Sequence, residues 1–207
     1  MSNGVRQGSL LSPLLFSIYM KELSSKLSTL PYGCSIANAL VNHLIYADDI
    51  VLICPAVPGL RQLLECCETF ANEHDLIFNA AKSKAIVFHA SFAIPADRPS
   101  LLLNDSPLSF VNSIKYLGVI LRHDLSDQDD MLSKLRAFYA SSNALLRKFH
   151  HCSNKIKLLL FKAFCCQIYC SALWNIYPAD VLNRFKVAYN NTVRKLFRLP
   201  YHCSVTN

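Results

Sequence analysis

The sequence predicts an α+β fold in which a mixed part is followed by an all-helical part. Over residues 1–122, short β-branched and aromatic runs alternate with apolar residues at helical spacing. The polar segment HDLSDQDD at 123–130 ends this pattern, and apolar residues at helical spacing then continue to about 198. We therefore expect two domains, residues 1–122 and residues 123–207.

Two helices are expected in the first part. Ser12 and Pro13 favour a helix over about 13–28, because serine caps helix N-termini and proline fits the first turn. A second, amphipathic helix is expected to begin after Pro58 and to end near Asp75.

Strands are expected between and after these helices. The segment 42–54 has the composition of two strands joined by a tight turn. KAIVFHA at 84–90 indicates a strand, 95–107 a loop with a short strand, and IKYLGVIL at 114–121 a strand pair around Gly118.

Three helices are expected in the second part, near 127–150, 154–175 and 178–198. The apolar stretch 156–174 is interrupted by two lysines and a glutamine. Since a membrane span needs about 20 predominantly apolar residues, we interpret this stretch as a buried helix and predict no membrane association.

The net charge of +7 is unevenly distributed. Residues 1–122 hold nine Lys and Arg against nine Asp and Glu, whereas residues 123–207 hold twelve against five. All the excess positive charge therefore lies in the helical part. Such asymmetry favours a polyanionic partner, although a solvated basic face is an equally simple interpretation.

The nine cysteines are irregularly spaced, and the first residues lack the pattern of a secretory signal. We therefore predict an intracellular protein, nuclear or cytoplasmic, that is not secreted. The Cys and His residues between 150 and 170 do not follow zinc-finger spacing, so buried thiols are favoured over a zinc site.

Two adjacent carboxylates interrupt the apolar stretch LIYADDIVLI at 44–53. Neighbours on a regular strand point to opposite faces, but a hairpin turn can direct Asp48 and Asp49 to one site. Two carboxylates held together repel each other unless a cation neutralises them, and oxygen ligands of this charge suit Mg²⁺. An ordinary Asp-Asp turn remains the alternative.

Four segments, in this order, resemble the successive palm motifs of reverse transcriptases, most closely those of non-LTR retrotransposons. They are GVRQGSLLSPLLFSIYMKEL at 4–23, YADDIVLI at 46–53, FNAAKSKAIVF at 78–88 and KYLGVIL at 115–121. The helical part after them resembles the thumb. Group II intron maturases share the YADD segment but favour Pro-Gln-Gly-Gly where this chain has Arg6-Gln7-Gly8-Ser9.

The resemblance implies a partial polymerase palm followed by a helical thumb, and an RNA-directed DNA polymerase, which is a nucleotidyltransferase. Enzymes of this type use two Mg²⁺ ions, with Mn²⁺ as an alternative, to join a nucleotide to a primer 3′ hydroxyl. The implied partners are an RNA template, a DNA primer or an RNA–DNA duplex, and deoxynucleoside triphosphates.

The resemblance also implies roles for individual residues. Asp48 matches the direct metal ligand and Asp49 a nearby supporting carboxylate. Lys82 is expected to neutralise or protonate the leaving pyrophosphate. Gln7 and Gly8 match contacts to template or nucleotide. The remaining matches are Arg6 for phosphate, Asn79 as the partner of Lys82 in its motif, Tyr46 beside the primer end, and Tyr116, Leu117 and Gly118 as a primer grip.

A basic stripe is expected on the last helix. At 100° per residue, Arg184, Lys195 and Arg198 fall within about 60° of one another, opposite the apolar face. Such a stripe would bind a nucleic-acid backbone without regard to sequence and in a salt-sensitive way.

The matching family carries a third catalytic carboxylate on a strand before the Gln-Gly segment, where this sequence has only Met1, Ser2 and Asn3 before Gly4. We therefore expect a truncated polymerase that lacks its N-terminal half and is inactive alone. A catalytically dead, basic nucleic-acid-binding remnant is the alternative.

Overall fold

The computed structural model describes residues 11–88 and 100–203, which mix helices and strands as the predicted α+β class requires. The chain divides into two compact units. Of the described residues, the first unit comprises 11–85 and 100–109, and the second comprises 86–88 and 110–203.

The first unit contains two helices and a series of short antiparallel hairpins. The elements in chain order are α1 (Ser12–Ser28), β1 (Cys34–Ile36), β2 (Ala39–Val41), β3 (His43–Tyr46), β4 (Asp49–Leu52), α2 (Val57–Glu73), β5 (Lys84–Ala85), β6 (Leu102–Leu103) and β7 (Ser106–Pro107), with β8 (Ser109–Phe110) at the boundary. Strands β1 and β2, β3 and β4, and β6 and β7 form antiparallel pairs. Both predicted helices and the strand pair within 42–54 are confirmed.

Two local predictions in this unit need correction. Leu11, not Ser12, occupies the cap position of α1, so the predicted capping serine is the first helical residue, while Pro13 lies in the first turn as expected. The strand predicted over 84–90 is confined to Lys84–Ala85 within the described residues.

The core of the first unit lies between α1, α2 and the β3–β4 hairpin. Six residues of the two helices, each at most 4% exposed, form this core, and the hairpin packs against them through Ile45 and Ile50. The buried set is Met20, Leu23, Leu27, Leu63, Cys67 and Phe70. Burial of this apolar area supplies the main free energy that fixes the hairpin on the helices.

The second unit contains a hairpin followed by helices. Its elements are β9 (Ser113–Tyr116), β10 (Val119–Arg122), α3 (Gln128–Lys148), α4 (Asn154–Phe164), a 3₁₀ turn (Ser171–Leu173) and α5 (Ala179–Phe197). The predicted strand pair around Gly118 and the predicted helices corresponding to α3 and α5 are confirmed. The β9–β10 hairpin belongs to the same unit as the helices, although the sequence-based division assigns it to residues 1–122.

The helix predicted over 154–175 is wrong in its second half. Helix α4 ends at Phe164, and Cys170 adopts a left-handed backbone with φ 59°. The chain leaves the helix because tertiary contacts hold the following segment: Trp174 Nε1 donates to Asp130 at 2.9 Å, and the amide of Ile176 donates to Asp127 at 2.8 Å. These contacts override local helix propensity.

The exposure of α4 also contradicts the prediction of a buried helix. Leu159 is 61% and Phe164 69% exposed, while Phe161 is buried against α3 and α5. No helix in the described part of the chain is sufficiently long and apolar to cross a membrane.

Candidate active site

The β3–β4 hairpin presents the two candidate catalytic carboxylates at its tip. Tyr46 pairs with Asp49, so Ala47 and Asp48 form the two-residue turn. Ala47 has a left-handed backbone with φ 51°, which closes the turn tightly. The predicted tight turn within 42–54 is therefore confirmed.

The two faces of this hairpin differ in exposure. Directly opposed residues of an antiparallel pair share a face, so Ile45 and Ile50 lie together against the helices. Tyr46 and Asp49 share the other face, where Tyr46 is 64% exposed. Asp48 is also exposed. The tip is therefore accessible to a ligand.

The charges of Asp48 and Asp49 are not compensated by the described residues. Neither carboxylate forms an ion pair or hydrogen bond with a described side chain. The two residues are neighbours along the chain, so two negative charges lie close together without a cation. Two uncompensated carboxylates offer the hard oxygen ligands that Mg²⁺ prefers. Within residues 11–88 and 100–203, no third metal-binding side chain joins them to make a three-residue cluster.

A polar network anchors the base of the hairpin to α1. The Asn42 side-chain amide, 3% exposed, donates to the Leu27 carbonyl at 2.7 Å, and its Oδ1 lies 2.7 Å from His43 Nδ1. The Ser24 hydroxyl lies 2.8 Å from His43 Nε2, and partial burial lowers the pKa of His43. The sequence-based prediction did not include Ser24, Asn42 or His43. The two polar residues Asn42 and His43, at the start of an otherwise apolar strand, could have indicated this network.

A second acidic group in this unit already contains its own cation. Glu22, Glu73 and His74 place potential metal-binding atoms within 4.8 Å of one another. The Lys26 ammonium lies 3.2 Å from Glu22 and also pairs with Glu73. Its hydrogen bond lowers the pKa of Glu22, and the bond to Glu73 raises the pKa of Lys26. Lys26 therefore compensates part of the negative charge of this cluster, in contrast to the hairpin tip.

The motif containing Asn79 and Lys82 forms a local turn. Asn79 Oδ1 accepts a hydrogen bond from the backbone amide of Lys82 at 3.0 Å, which explains the three-residue spacing of the two side chains. The ammonium of Lys84 donates to the Ala81 carbonyl at 3.1 Å, whereas Lys82 is exposed and its ammonium has no described partner. No ion pair in the described part joins Lys82 to Asp48 or Asp49.

The predicted primer-grip residues lie at the tip of the β9–β10 hairpin. Leu117 and Gly118 form its turn with φ values of 45° and 83°, a conformation that glycine adopts without strain. The Gly118 carbonyl accepts a hydrogen bond from Lys134 of α3 at 2.6 Å. Tyr116 pairs with Val119 beside the turn.

A buried carboxylate holds this hairpin to the helices. Asp130 is 1% exposed and accepts hydrogen bonds from the Ile120 amide at 3.1 Å and from Trp174 Nε1 at 2.9 Å. Lys134 lies 3.8 Å from the same carboxylate. Sequence reasoning missed this role of Asp130, because its partner Trp174 lies 44 residues further along the chain.

The predicted basic stripe is partly regular. Arg184 and Lys195 are exposed residues of α5. Arg198 is also exposed but follows the helix end with a left-handed backbone, φ 54°, so helical spacing does not place its side chain. The predicted template and phosphate contacts Arg6, Gln7 and Gly8 lie outside the described residues.

The comparisons with known proteins identify the family. A profile of the family described as reverse transcriptase (RNA-dependent DNA polymerase) matches residues 1–121, which is more than half of the chain. The chain belongs to the reverse transcriptase family.

Several curated relatives have similar sequences. An RNA-directed DNA polymerase from mobile element jockey of Drosophila funebris is 27% identical over 96% of this chain and 22% of its own length. The probable RNA-directed DNA polymerase from transposon X-element of Drosophila melanogaster is 26% identical over 92% of this chain and 21% of its own length. A Pol polyprotein from the R2DM element of the same species is 40% identical over 39% of this chain and 8% of its own length.

These relatives confirm the predicted resemblance to reverse transcriptases of non-LTR retrotransposons. The chain spans about a fifth of the length of the jockey and X-element relatives.

Proposed function

We propose that this chain forms the C-terminal part of the palm and the thumb of an RNA-directed DNA polymerase, which adds deoxynucleotides to a primer 3′ hydroxyl on an RNA template. The observation that carries the proposal is the exposed pair Asp48 and Asp49 at the tip of a hairpin whose base is held to α1, without a compensating cation among the described residues. The family match over residues 1–121 supports the same activity.

Each candidate residue has one role in this proposal. Asp48 would hold Mg²⁺ directly, and Asp49 would support it. Bound Mg²⁺ would supply activation of the primer hydroxyl and neutralisation of the triphosphate charge. Lys82 would donate a proton or positive charge to the departing pyrophosphate. Its turn, closed by Asn79, leaves the ammonium available for that purpose.

Substrate binding is proposed for a second set of residues. Arg6 would bind phosphate, and Gln7 and Gly8 would contact template or nucleotide. Tyr46, exposed on the face shared with Asp49, would pack near the primer end. The turn formed by Leu117 and Gly118, with Tyr116 beside it, would grip the primer.

Primer extension tests the polymerase proposal. The chain is combined with the missing N-terminal half of such a polymerase, and RNA-templated extension is compared between wild type and Asp48→Asn. We expect at least about a 100-fold loss, since removing one electrostatic contact at a reacting centre costs about that much. Asp105→Asn is the matched control, because Asp105 is also an exposed acid in a two-residue hairpin turn.

If Asp48→Asn extends primers as fast as wild type, the catalytic assignment is wrong. Equal losses in Asp48→Asn and Asp105→Asn would point to a general effect of removing a surface charge and would also contradict the assignment.

A second function, nucleic-acid binding without catalysis, is favoured by one observation. All the excess positive charge lies in residues 123–207, and Arg184 and Lys195 of α5 are exposed. This function predicts Mg²⁺-independent binding of an RNA–DNA duplex that weakens as salt increases. Replacing Arg184 and Lys195 by Ala should reduce both the affinity and the salt dependence, whereas Lys186→Ala, an exposed change on the same helix, should have less effect.

Duplex affinity that does not change between low and high salt would exclude this second function.

A further inference from the structure

An open cavity in the second unit gathers basic side chains from the ends of three helices. The cavity has a volume of about 410 Å³ and lies where α3 ends, α4 begins and α5 ends. Its polar lining includes His150, His151, Asn154, Lys157 and Arg198. A smaller neighbouring cavity of about 110 Å³ shares three of these residues and adds Lys195.

Lys157 is the unusual residue in this lining. It lies in the first turn of α4, is only 6% exposed and lines both cavities. Its ammonium has no hydrogen bond or ion pair with any described residue. The aliphatic stem of Lys157 is the buried part, and Nζ itself keeps access to solvent at the cavity. A ligand anion in the cavity would accept hydrogen bonds from this ammonium.

The surroundings of Lys157 have a single sign of charge. Arg198 and Lys195 add two permanent cations, and no lining residue of either cavity is Asp or Glu. The rings of His150 and His151, whose centroids lie 3.6 Å apart, line the same cavity and add N–H groups to it.

The beginning of α4 contributes amide groups to the same place. Ser153 caps this eleven-residue helix by accepting a hydrogen bond from the Ile156 amide, and Asn154, its first residue, lines the cavity. The unpaired amides and partial positive charge of a helix N-terminus favour an anion. This contribution is independent of the buried lysine.

A metal ion does not suit this cavity. Its positive charges would repel a cation, and no three of the nearby Cys and His side chains bring their donor atoms within 4.8 Å in the described part of the chain. A tetrahedral dianion is better matched, because it accepts hydrogen bonds in several directions and balances more than one cation.

We propose that this cavity is a phosphoryl-binding site in which Lys157 is the central ligand-binding residue. The site goes beyond the proposed polymerase activity, since it requires neither Asp48 nor Asp49. Its source is either the terminal phosphate of a nucleic acid or a free phosphate, and both present a tetrahedral dianion to the cavity.

Titration calorimetry with inorganic phosphate tests the site in the full 207-residue chain, at constant ionic strength and without template, nucleotide or metal. We expect Lys157→Met to weaken phosphate binding about tenfold or more, as expected when hydrogen bonds to a charged group are lost. Lys162→Met is the matched control, because it removes the same charge from an exposed position of α4. Its affinity should equal that of wild type.

Equal affinities of wild type and Lys157→Met would overturn the proposal, as would a failure of wild type to bind phosphate. If Lys157→Met does not fold, Arg198→Gln replaces it, because Arg198 is exposed and beyond the end of α5. The same tenfold loss is expected, and an unchanged affinity would exclude the site.

A short duplex with and without a 5′ phosphate identifies the source of the phosphoryl group. Tighter binding of the phosphorylated duplex, reversed by free phosphate and absent in Lys157→Met, supports a nucleic-acid source. Phosphate binding without any effect of the duplex supports a free phosphate. Asp48→Asn should bind phosphate like wild type, so failure of this site and failure of the polymerase proposal give different results.

Discussion

The buried carboxylate of Asp130 offers the sharpest test of how the second unit is held together. Replacing Asp130 by Ala removes the acceptor for two hydrogen bonds, from the Ile120 amide and from Trp174 Nε1. It also leaves Lys134 without its carboxylate. Since hydrogen bonds to charged groups contribute roughly 1.5–3 kcal/mol each, we expect the free energy of unfolding to fall by roughly 3–5 kcal/mol.

Urea denaturation monitored by tryptophan fluorescence measures this loss. Trp174 is the only tryptophan in the chain and donates directly to Asp130, so its emission reports on this unit. With a urea dependence of about 2 kcal/mol per M, the midpoint should fall by roughly 1.5–2.5 M. Circular dichroism provides a second probe that does not depend on the environment of the indole.

The neighbouring residue supplies the control. Asp129 has a 40% exposed side chain and pairs with Arg122 at 3.2 Å. Because exposed ion pairs contribute about 0–1 kcal/mol, Asp129→Ala should have a small effect. If Asp130→Ala and Asp129→Ala unfold at the same urea concentration, the buried network does not hold the hairpin, and the reasoning is refuted.

Three further predictions concern individual side chains. The Arg122 guanidinium lowers the pKa of Asp124 from 3.8 to about 2, so the stabilisation from this pair is present above about pH 4 and is lost as pH falls through 2. After solvent screening we expect this pair to contribute roughly 1 kcal/mol. The difference in the free energy of unfolding between pH 5 and pH 2 should therefore be smaller in Asp124→Asn than in wild type. Gly118→Ala should lower the free energy of unfolding by about 1–2 kcal/mol, because φ is 83° and the new Cβ would lie 3.3 Å from the Tyr169 ring. An unchanged thermal unfolding midpoint would contradict this turn conformation at Gly118. Burial raises the pKa of Cys67 to about 12, so this thiol should be alkylated slowly in the native chain and rapidly in urea, as measured by mass spectrometry. Equal alkylation rates would show that the Cys67 thiol is accessible in the native chain.

The hairpin carrying Asp48 was predictable because its signals are local. Turn-forming residues lie between two apolar runs, which predicts a hairpin. Side chains alternate between the two faces of a strand, and this alternation determines which residues pack against the helices. Helices α2, α3 and α5 were predictable for a similar reason, since their apolar residues repeat at helical spacing. The roles of the candidate catalytic residues came from the resemblance, and the structure adds the geometry of the hairpin that carries Asp48 and Asp49.

The end of α4 was not predictable from local pattern. The sequence keeps apolar residues at helical spacing beyond Phe164, where α4 ends. Asp127 and Asp130 accept hydrogen bonds from residues 174–176, and these bonds hold that segment in a non-helical conformation. These bonds connect positions more than 40 residues apart, so no short window contains both partners. The same network assigns the β9–β10 hairpin to the helical unit, which composition alone does not indicate.

Turn chemistry explains Asp48 but not Asp49. The other two-residue hairpin turns in the described chain are Ala37–Asn38, Asn104–Asp105 and Leu117–Gly118. None of them is followed by an acid. Asp49 already belongs to β4, where aspartate is disfavoured, and it lies beside a second uncompensated carboxylate. In the same unit, Glu22 and Glu73 share Lys26 as a cation. Turn formation therefore does not account for Asp49, and a second acid at this strand position agrees with the metal-binding tip that we propose.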